Sequence, residues 1–255
     1  MKYVVIIPSR MASSRFPGKP LKKINGMTML QHCFERVKLA VNKENIYISS
    51  CDKEIEDLCY NIDSNFVKTS KKCKSATERT FEAFKKIEKK NNKKIDNIVM
   101  VQGDEPLLDI LCIKKSIKKI LQKNTSIINV LSRPKLLSQV KNKNNVKAVV
   151  NKKKEIIYFS RESIPSSWKK NALNFNYIQT GIITFSREAL FNYFKLKNSF
   201  LEDCESVDMN RFIENGVKIG SVIIDRFTFG VDTKKDLDFA SLLLKKDKYA
   251  KVYIK

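Results

Sequence analysis

Three cations, Arg10, Arg15 and Lys19, fall within ten residues near the start of the chain, in the run Pro8-Ser9-Arg10-Met11-Ala12-Ser13-Ser14-Arg15-Phe16-Pro17-Gly18-Lys19-Pro20. Two serine hydroxyls sit between the arginines, and Gly18 lets main-chain amides come close to a ligand. That set suits an extended anion charged at both ends, a polyphosphate. The arginines carry extra weight because the chain uses 41 lysines and only 9 arginines. In such a background an arginine marks a place where a planar, two-pronged guanidinium is needed. Five of the nine (Arg10, Arg15, Arg79, Arg161 and Arg211) fall in motifs described here. The loop has neither the GxxxxGK[ST] nor the GxGxxG pattern, which disfavours ATPase and dehydrogenase readings.

Carboxylates supply the complementary chemistry. In Val101-Gln102-Gly103-Asp104-Glu105-Pro106, Asp104 follows an apolar run and offers a hard anionic oxygen of the kind Mg²⁺ takes. The same residues also suit a turn that caps the next helix. In Phe229-Gly230-Val231-Asp232-Thr233-Lys234-Lys235-Asp236, Thr233 and Asp236 form a capping pair. Asp232 then projects just ahead of the helix, either towards a metal or as part of the cap. His32 is the single histidine, so a His-rich metal site is excluded, and a Ser-His-Asp or Cys-His scheme would rest on that residue alone. Its helical setting reads as packing. The six cysteines, at 33, 51, 59, 73, 112 and 204, form no CxxC pair and read as reduced.

The elements that must position these groups alternate along the chain. Residues 2–7 are a β-branched run that ends at Pro8, as in a buried parallel strand. Further strands are predicted at 46–50, 95–101, 126–131, 146–150, 155–158, 178–185 and 217–224. Helices are predicted at 28–41, 52–61, 77–87, 109–122, 187–196, 205–215 and from 233. Strands alternating with helices argue for a mostly parallel, three-layer α/β sheet, with the loops after its strands at the ligand-binding edge. The expected organisation is one domain over 1–255, with 130–200 as a β-rich extension.

The formal charge of +23 raises nucleic-acid binding as a function. The lysines, however, are spread over the outer faces of helices and are not interleaved with aromatics, which reads as solvated surface. No specific nucleic-acid partner is expected. No segment has the length of a membrane span, and the short apolar start does not read as a signal peptide, so the expected location is cytoplasmic.

The spacing RxxSxRxPGKxL resembles the signature loop of sugar nucleotidyltransferases. With Gln-Gly-Asp-Glu-Pro at 102–106, Ser75-Ala76-Thr77-Glu78-Arg79, Tyr158-Phe159-Ser160-Arg161, Leu201-Glu202-Asp203-Cys204-Glu205 and Phe229–Leu237, the chain resembles the CMP-Kdo synthetases, the 3-deoxy-manno-octulosonate cytidylyltransferases. The matching segments run in family order from residue 4 to about 240. The resemblance implies a Rossmann-like nucleotidyltransferase fold, usually in a homodimer. It also implies transfer of CMP from CTP to the anomeric hydroxyl of an acidic sugar, Kdo, with release of pyrophosphate, for lipopolysaccharide biosynthesis.

On that resemblance Arg10, Arg15, Lys19 and Asp104 are catalytic, and Arg10, Ser13, Lys19, Ser75, Thr77, Arg79 and Gln102 bind the nucleotide. Arg161, Gln179, Glu202 and Glu205 bind the sugar, and Asp104 and Asp232 hold Mg²⁺. Three departures stand out. The sequence reads Gln179-Thr180-Gly181 where the family usually has a His, Asp208-Met209-Asn210-Arg211 for its Glu-Gln-Leu-Arg, and Ala76 for a Gly. Two explanations remain open: a divergent lineage holding the same sugar, or a related substrate such as 8-amino-8-deoxy-Kdo or a nonulosonate. A nucleotide-sugar glycosyltransferase is more remote, because Asp104-Glu105-Pro106 lacks the D-x-D pair.

Overall fold

The structure is a computed structural model that describes residues 2–13, 16–168 and 176–254. It divides into two compact units, 1–114 with 229–255, and 115–228.

In the first unit, β1 (Tyr3–Pro8) is buried from Val4 onwards. A one-turn 3₁₀ helix at Lys19–Leu21 and a small hairpin of β2 (Lys23–Ile24) and β3 (Met27–Thr28) lead into α1 (Met29–Lys38). The Thr28 side chain caps α1 by accepting from the Gln31 amide. Then come β4 (Ile46–Ser50), α2 (Lys53–Asn61), β5 (Asn65–Lys68), α3 (Ala76–Asn91), β6 (Asn97–Val101) and α4 (Ile110–Leu121), which runs across the division. The four long strands of this unit are all parallel, in the order β5-β4-β1-β6.

The chain therefore builds outwards from β1 through β4 to β5 and then crosses to the other side of β1 for β6. That reversal opens a crevice between the loops that leave β1 and β6, where open α/β sheets bind ligands. β1 can occupy the interior of this unit's sheet because its buried run, VVIIP, is apolar on both faces, and the Ile98–Val101 run of β6 beside it is equally apolar.

The second unit holds β7 (Ile127–Ser132), α5 (Leu137–Lys141), β8 (Lys147–Val150), β9 (Glu155–Ser160), β10 (Tyr177–Ser186), α6 (Arg187–Tyr193), α7 (Phe200–Glu205), α8 (Met209–Glu214) and β11 (Ile219–Ile224). Its strands run in the order β10-β7-β11-β9-β8, and β8 also pairs with β10, so the five strands close a circuit. Here the expectation of a mostly parallel sheet fails. β7–β11 is parallel, whereas β7–β10, β8–β10, β8–β9 and β9–β11 are antiparallel, so the strand architecture is mixed. The cause is local. β8 and β9 are joined by the tight turn at 151–154, with Lys154 in the left-handed region at φ 60°, and a link that short cannot make a parallel crossover. The segment 130–200 singled out from the sequence falls inside this unit.

The last two helices, α9 (Lys234–Lys246) and α10 (Ala250–Tyr253), belong to the first unit. Leu237, Ala240, Leu244 and Ala250 pack with Ile24, Met29, Leu107 and Val231 in one apolar cluster.

Candidate active site

The loop leaving β1 is fixed at three points. The Ser9 amide donates to the Ser49 carbonyl at 2.9 Å, the Met11 amide to Asp52 Oδ2 at 2.7 Å, and the Gly18 amide to the Met11 carbonyl at 3.2 Å. Gly18 sits at φ 68°, a left-handed turn that glycine adopts without strain, and it starts the 3₁₀ turn that carries Lys19. Lys19 is buried, and its Nζ donates to Asp104 Oδ2 at 2.8 Å and to Asp232 Oδ1 at 2.9 Å. Burial works to lower the Lys19 pKa, but the two carboxylates outweigh it and hold the amine above its ordinary value of 10.5.

Each carboxylate is delivered by a different device. Asp104 follows β6 through Gly103, where an added Cβ would lie 3.0 Å from Leu30 Cδ1 and 3.4 Å from Ile7 Cγ2. Only glycine lets the main chain pass that close to α1 and β1. Asp232 stands just ahead of α9. Thr233 Oγ1 accepts from the Asp236 amide at 3.2 Å, and Asp236 Oδ2 accepts from the Asp232 and Thr233 amides at 3.1 and 2.9 Å, a full capping box. The Val231 amide donates to the Asp104 carbonyl at 2.9 Å, tying the two acidic loops together.

A cleft of about 270 Å³ opens over these groups. Arg10, Ser13, Lys19, Ser75, Arg79, Gln102, Asp104 and Asp232 all line it. The sequence therefore identified residues that the fold gathers from four separate stretches. Ser75 also caps α3, accepting from the Glu78 amide at 3.1 Å, so the positive end of a 16-residue helix faces the cleft. Arg79 is buried and donates from Nη1 to Thr69 Oγ1. Thr77 is fully buried in the first turn of α3 and is not among the residues lining the cleft. Arg15 lies outside the described residues.

Three contributors were not singled out from the sequence. Asp52 holds the Met11 amide, Thr69 holds Arg79, and Cys73 lines the cleft. An aspartate directly before α2 reads as an ordinary helix cap, yet its side chain makes no cap hydrogen bond and serves the β1 loop instead. Thr69 and Cys73 sit in a loop with no local pattern to mark them.

Two carboxylates converge on one point, and Asp104 Oδ1 is buried with no hydrogen-bond partner. Among the described residues no group of three or more His, Cys, Asp or Glu side chains could hold a metal. A pair of hard oxygen donors with an unpaired buried oxygen fits a small divalent cation that completes its shell from phosphate and water.

His32 is fully buried. Its Nε2 lies 2.8 Å from the Ile24 carbonyl and its Nδ1 3.1 Å from the Tyr253 hydroxyl, so it packs the core as expected. None of the six cysteines forms a disulfide.

The four residues assigned to the sugar lie in the second unit, and three of them, Arg161, Glu202 and Glu205, are tightly partnered. Glu205 accepts from Tyr158 Oη at 2.9 Å, Ser160 Oγ at 2.7 Å and the Arg161 amide at 2.7 Å. The Arg161 guanidinium donates to three main-chain carbonyls, those of Glu205, Lys143 and Ser206. Glu202 holds Arg211 through Nε and Nη2 at 2.5 and 2.8 Å, with the guanidinium 4.2 Å from the Tyr193 ring centroid. Gln179 is half-buried on β10, beside a register shift that falls between it and Ile183.

Comparison with known proteins gives one answer. The sequence profile of the cytidylyltransferase family matches residues 4–219. The mitochondrial 3-deoxy-manno-octulosonate cytidylyltransferase of Arabidopsis thaliana is 34% identical over 247 residues, covering 96% of this chain and 83% of that one. The 3-deoxy-manno-octulosonate cytidylyltransferase of Parabacteroides distasonis is 34% identical, over 96% of this chain and 98% of its own. A solved CMP:2-keto-3-deoxy-manno-octonic acid synthetase in complex with CTP superposes with a TM-score of 0.84 at 27% identity, over 96% of this chain and 99% of that one. The nucleotidyltransferase fold, the cleft at the β1–β6 switch and these matches converge, and the chain belongs to the cytidylyltransferase family, with the 3-deoxy-manno-octulosonate cytidylyltransferases.

Proposed function

We propose that this chain transfers CMP from CTP to the anomeric hydroxyl of 3-deoxy-manno-octulosonate, releases pyrophosphate, and thereby activates the sugar for lipopolysaccharide synthesis. The observation that carries the reading is the convergence of Lys19, Asp104 and Asp232 in a cleft that Arg10, Ser13, Ser75, Arg79 and Gln102 also line. Arg10, Ser13, Arg15 and Lys19 take the triphosphate, and Ser75, Arg79 and Gln102 take the cytidine side, with Thr77 buried in the α3 turn between Ser75 and Arg79.

The reaction is an in-line displacement. A bond forms from the sugar oxygen to the α-phosphorus, and the bond from that phosphorus to the pyrophosphate oxygen breaks. Charge builds on the departing pyrophosphate, and pre-placed cations from the β1 loop stabilise it without reorganising. Asp104 and Asp232 would hold Mg²⁺, which when bound neutralises phosphate charge and orients the two substrates. The single histidine is locked in the core by Ile24 and Tyr253, so positioning and electrostatics do the catalytic work. Arg161, Gln179, Glu202 and Glu205 are assigned to the sugar acid, the enzyme to a homodimer, and its location to the cytoplasm. No helix among the described residues is long and apolar enough to cross a membrane.

Gln179 favours a second reading, a related ulosonic acid as acceptor, because its amide cannot become cationic as a histidine can. Pyrophosphate release from CTP and Mg²⁺, compared across Kdo, 8-amino-8-deoxy-Kdo and N-acetylneuraminate, tests both. Release with Kdo alone supports the first reading. Release with another acid alone moves the specificity, and no release with any of them refutes the transfer.

A further inference from the structure

Lys19 has two claims on it. The reaction asks it to bind phosphate, yet its ammonium is held by both carboxylates assigned to the metal, at 2.8 Å from Asp104 Oδ2 and 2.9 Å from Asp232 Oδ1. The backbone that carries it is pinned, by Gly18 at φ 68°, by the Lys19 amide to the Phe16 carbonyl at 3.2 Å, and by the 3₁₀ turn that follows. The flexible four-carbon stem is the part free to move. An ammonium in that position occupies the charge environment a divalent cation needs, and two like charges sharing the same carboxylates repel strongly at low dielectric. Asp104 Oδ1, buried and without a partner, shows that the ammonium satisfies only part of this anionic pair.

We propose that Lys19 is an exchangeable internal counter-ion. It holds Asp104 and Asp232 together until the nucleotide's triphosphate arrives, then swings onto phosphate and frees the carboxylates for the divalent cation. The proposal rests on the reading that these two aspartates are the metal ligands. It makes cation and nucleotide binding mutually reinforcing, because each removes an obstacle to the other. It also keeps the acidic pair neutralised, so that the part-buried carboxylates do not repel each other while the substrate is away.

The test is Mn²⁺ binding to the full-length protein without nucleotide, followed by the loss of the free-ion paramagnetic signal. Lys19→Met and Lys19→Gln should each bind Mn²⁺ at least about tenfold tighter than wild type, a coupling of ordinary size for linked sites. Lys19→Arg, which keeps the charge, should bind as weakly as wild type. Circular dichroism and a thermal melt on each variant establish that it is folded, and either neutral variant suffices. If the neutral variants bind Mn²⁺ no tighter than wild type, the exchange is refuted. Adding Asp104→Asn to the Lys19→Met background separates the two layers. Loss of the tightened binding supports both the exchange and the ligand assignment, whereas retention refutes Asp104 as the ligand.

Discussion

The C-terminal end of α9 is held by a buried ion pair, and removing it should uncouple stability from catalysis. Arg36 on α1 is completely buried. It donates from Nη1 to the Leu108 carbonyl at 2.9 Å and from Nη2 to Asp247 Oδ1 at 2.5 Å, and the Asp247 side chain is 2% exposed. Asp247 also accepts from the Tyr249 and Ala250 amides at 3.0 and 2.9 Å, which starts α10. Asp247→Ala strands a buried guanidinium, at about 3–5 kcal/mol, and removes a cap worth about 1 kcal/mol. The two together come to about 4–6 kcal/mol, and at roughly 2–4 °C per kcal/mol for a chain of this size Tm should fall by about 8–24 °C. The double variant Arg36→Met with Asp247→Leu should recover most of that loss, because apolar replacements of a buried pair are often neutral.

Turnover measured well below either midpoint should change little in Asp247→Ala. Asp232 sits at the opposite end of α9, where the capping box and the Val231–Asp104 hydrogen bond hold it independently. Thr233→Ala should behave the other way. It costs about 1 kcal/mol but releases Asp232 next to Lys19, so activity falls further than stability. Thermal melts and initial rates on both variants check this. A Tm loss below about 3 °C for Asp247→Ala would mean that the pair contributes less than about 1 kcal/mol. The reasoning from burial would then be wrong.

Asp104→Asn should abolish turnover and leave the fold intact by circular dichroism, and substantial residual Mg²⁺-dependent activity would refute the metal assignment. Burial alone would raise the Glu205 pKa, but hydrogen bonds from the Arg161 amide, Ser160 and Tyr158 outweigh it and hold the carboxyl below its ordinary 4.5. Its stabilising effect is therefore complete above pH 4.5 and disappears as pH falls through the lower folded value. Urea melts below that pH should show wild type losing stability more steeply than Glu205→Gln, and parallel slopes would rule out the effect. Gln179→His should move KM for the acid sugar by about 3–10-fold, the range of one hydrogen bond, with KM for CTP unchanged. Unaltered KM for every sugar tested would remove Gln179 from recognition.

The first unit was legible in the sequence because its rules are local. Val4–Ile7 is apolar at every position, as a doubly covered parallel strand must be, and the loops after β1 and β6 carry the charged motifs. The Thr233–Asp236 pair reads as a cap from spacing alone and is one. The second unit was less legible because its pattern arises from long-range pairing. β10 meets both β7 and β8, which lie about thirty to fifty residues away in the chain, and no periodicity along one strand records its partner's direction. β5, Asn65–Lys68, was missed for a related reason. It is a four-residue edge strand with burial pattern eiie, too polar and short to stand out from a loop. The predicted helix at 205–215 is the shorter α8, Met209–Glu214, and α7 before it was not predicted; Ser206 in the left-handed region at φ 50° separates the two.

The structure also sorts the departures from the family pattern. Met209 is completely buried, so it offers no polar atom to a ligand and requires none. Its neighbours work inwards as well. Asn210 accepts from the Phe159 amide at 3.3 Å and donates to the Phe159 carbonyl at 3.0 Å, clasping α8 to β9, while Arg211 is paired with Glu202. A side chain amide lost at 209 is therefore a change in packing, and it carries no information about which sugar is bound. Gln179 is different: it is only half-buried, and it is the last residue of β10 paired with β7, opposite Leu131, before the register shifts. The acceptor comparison and Gln179→His therefore test the same strand.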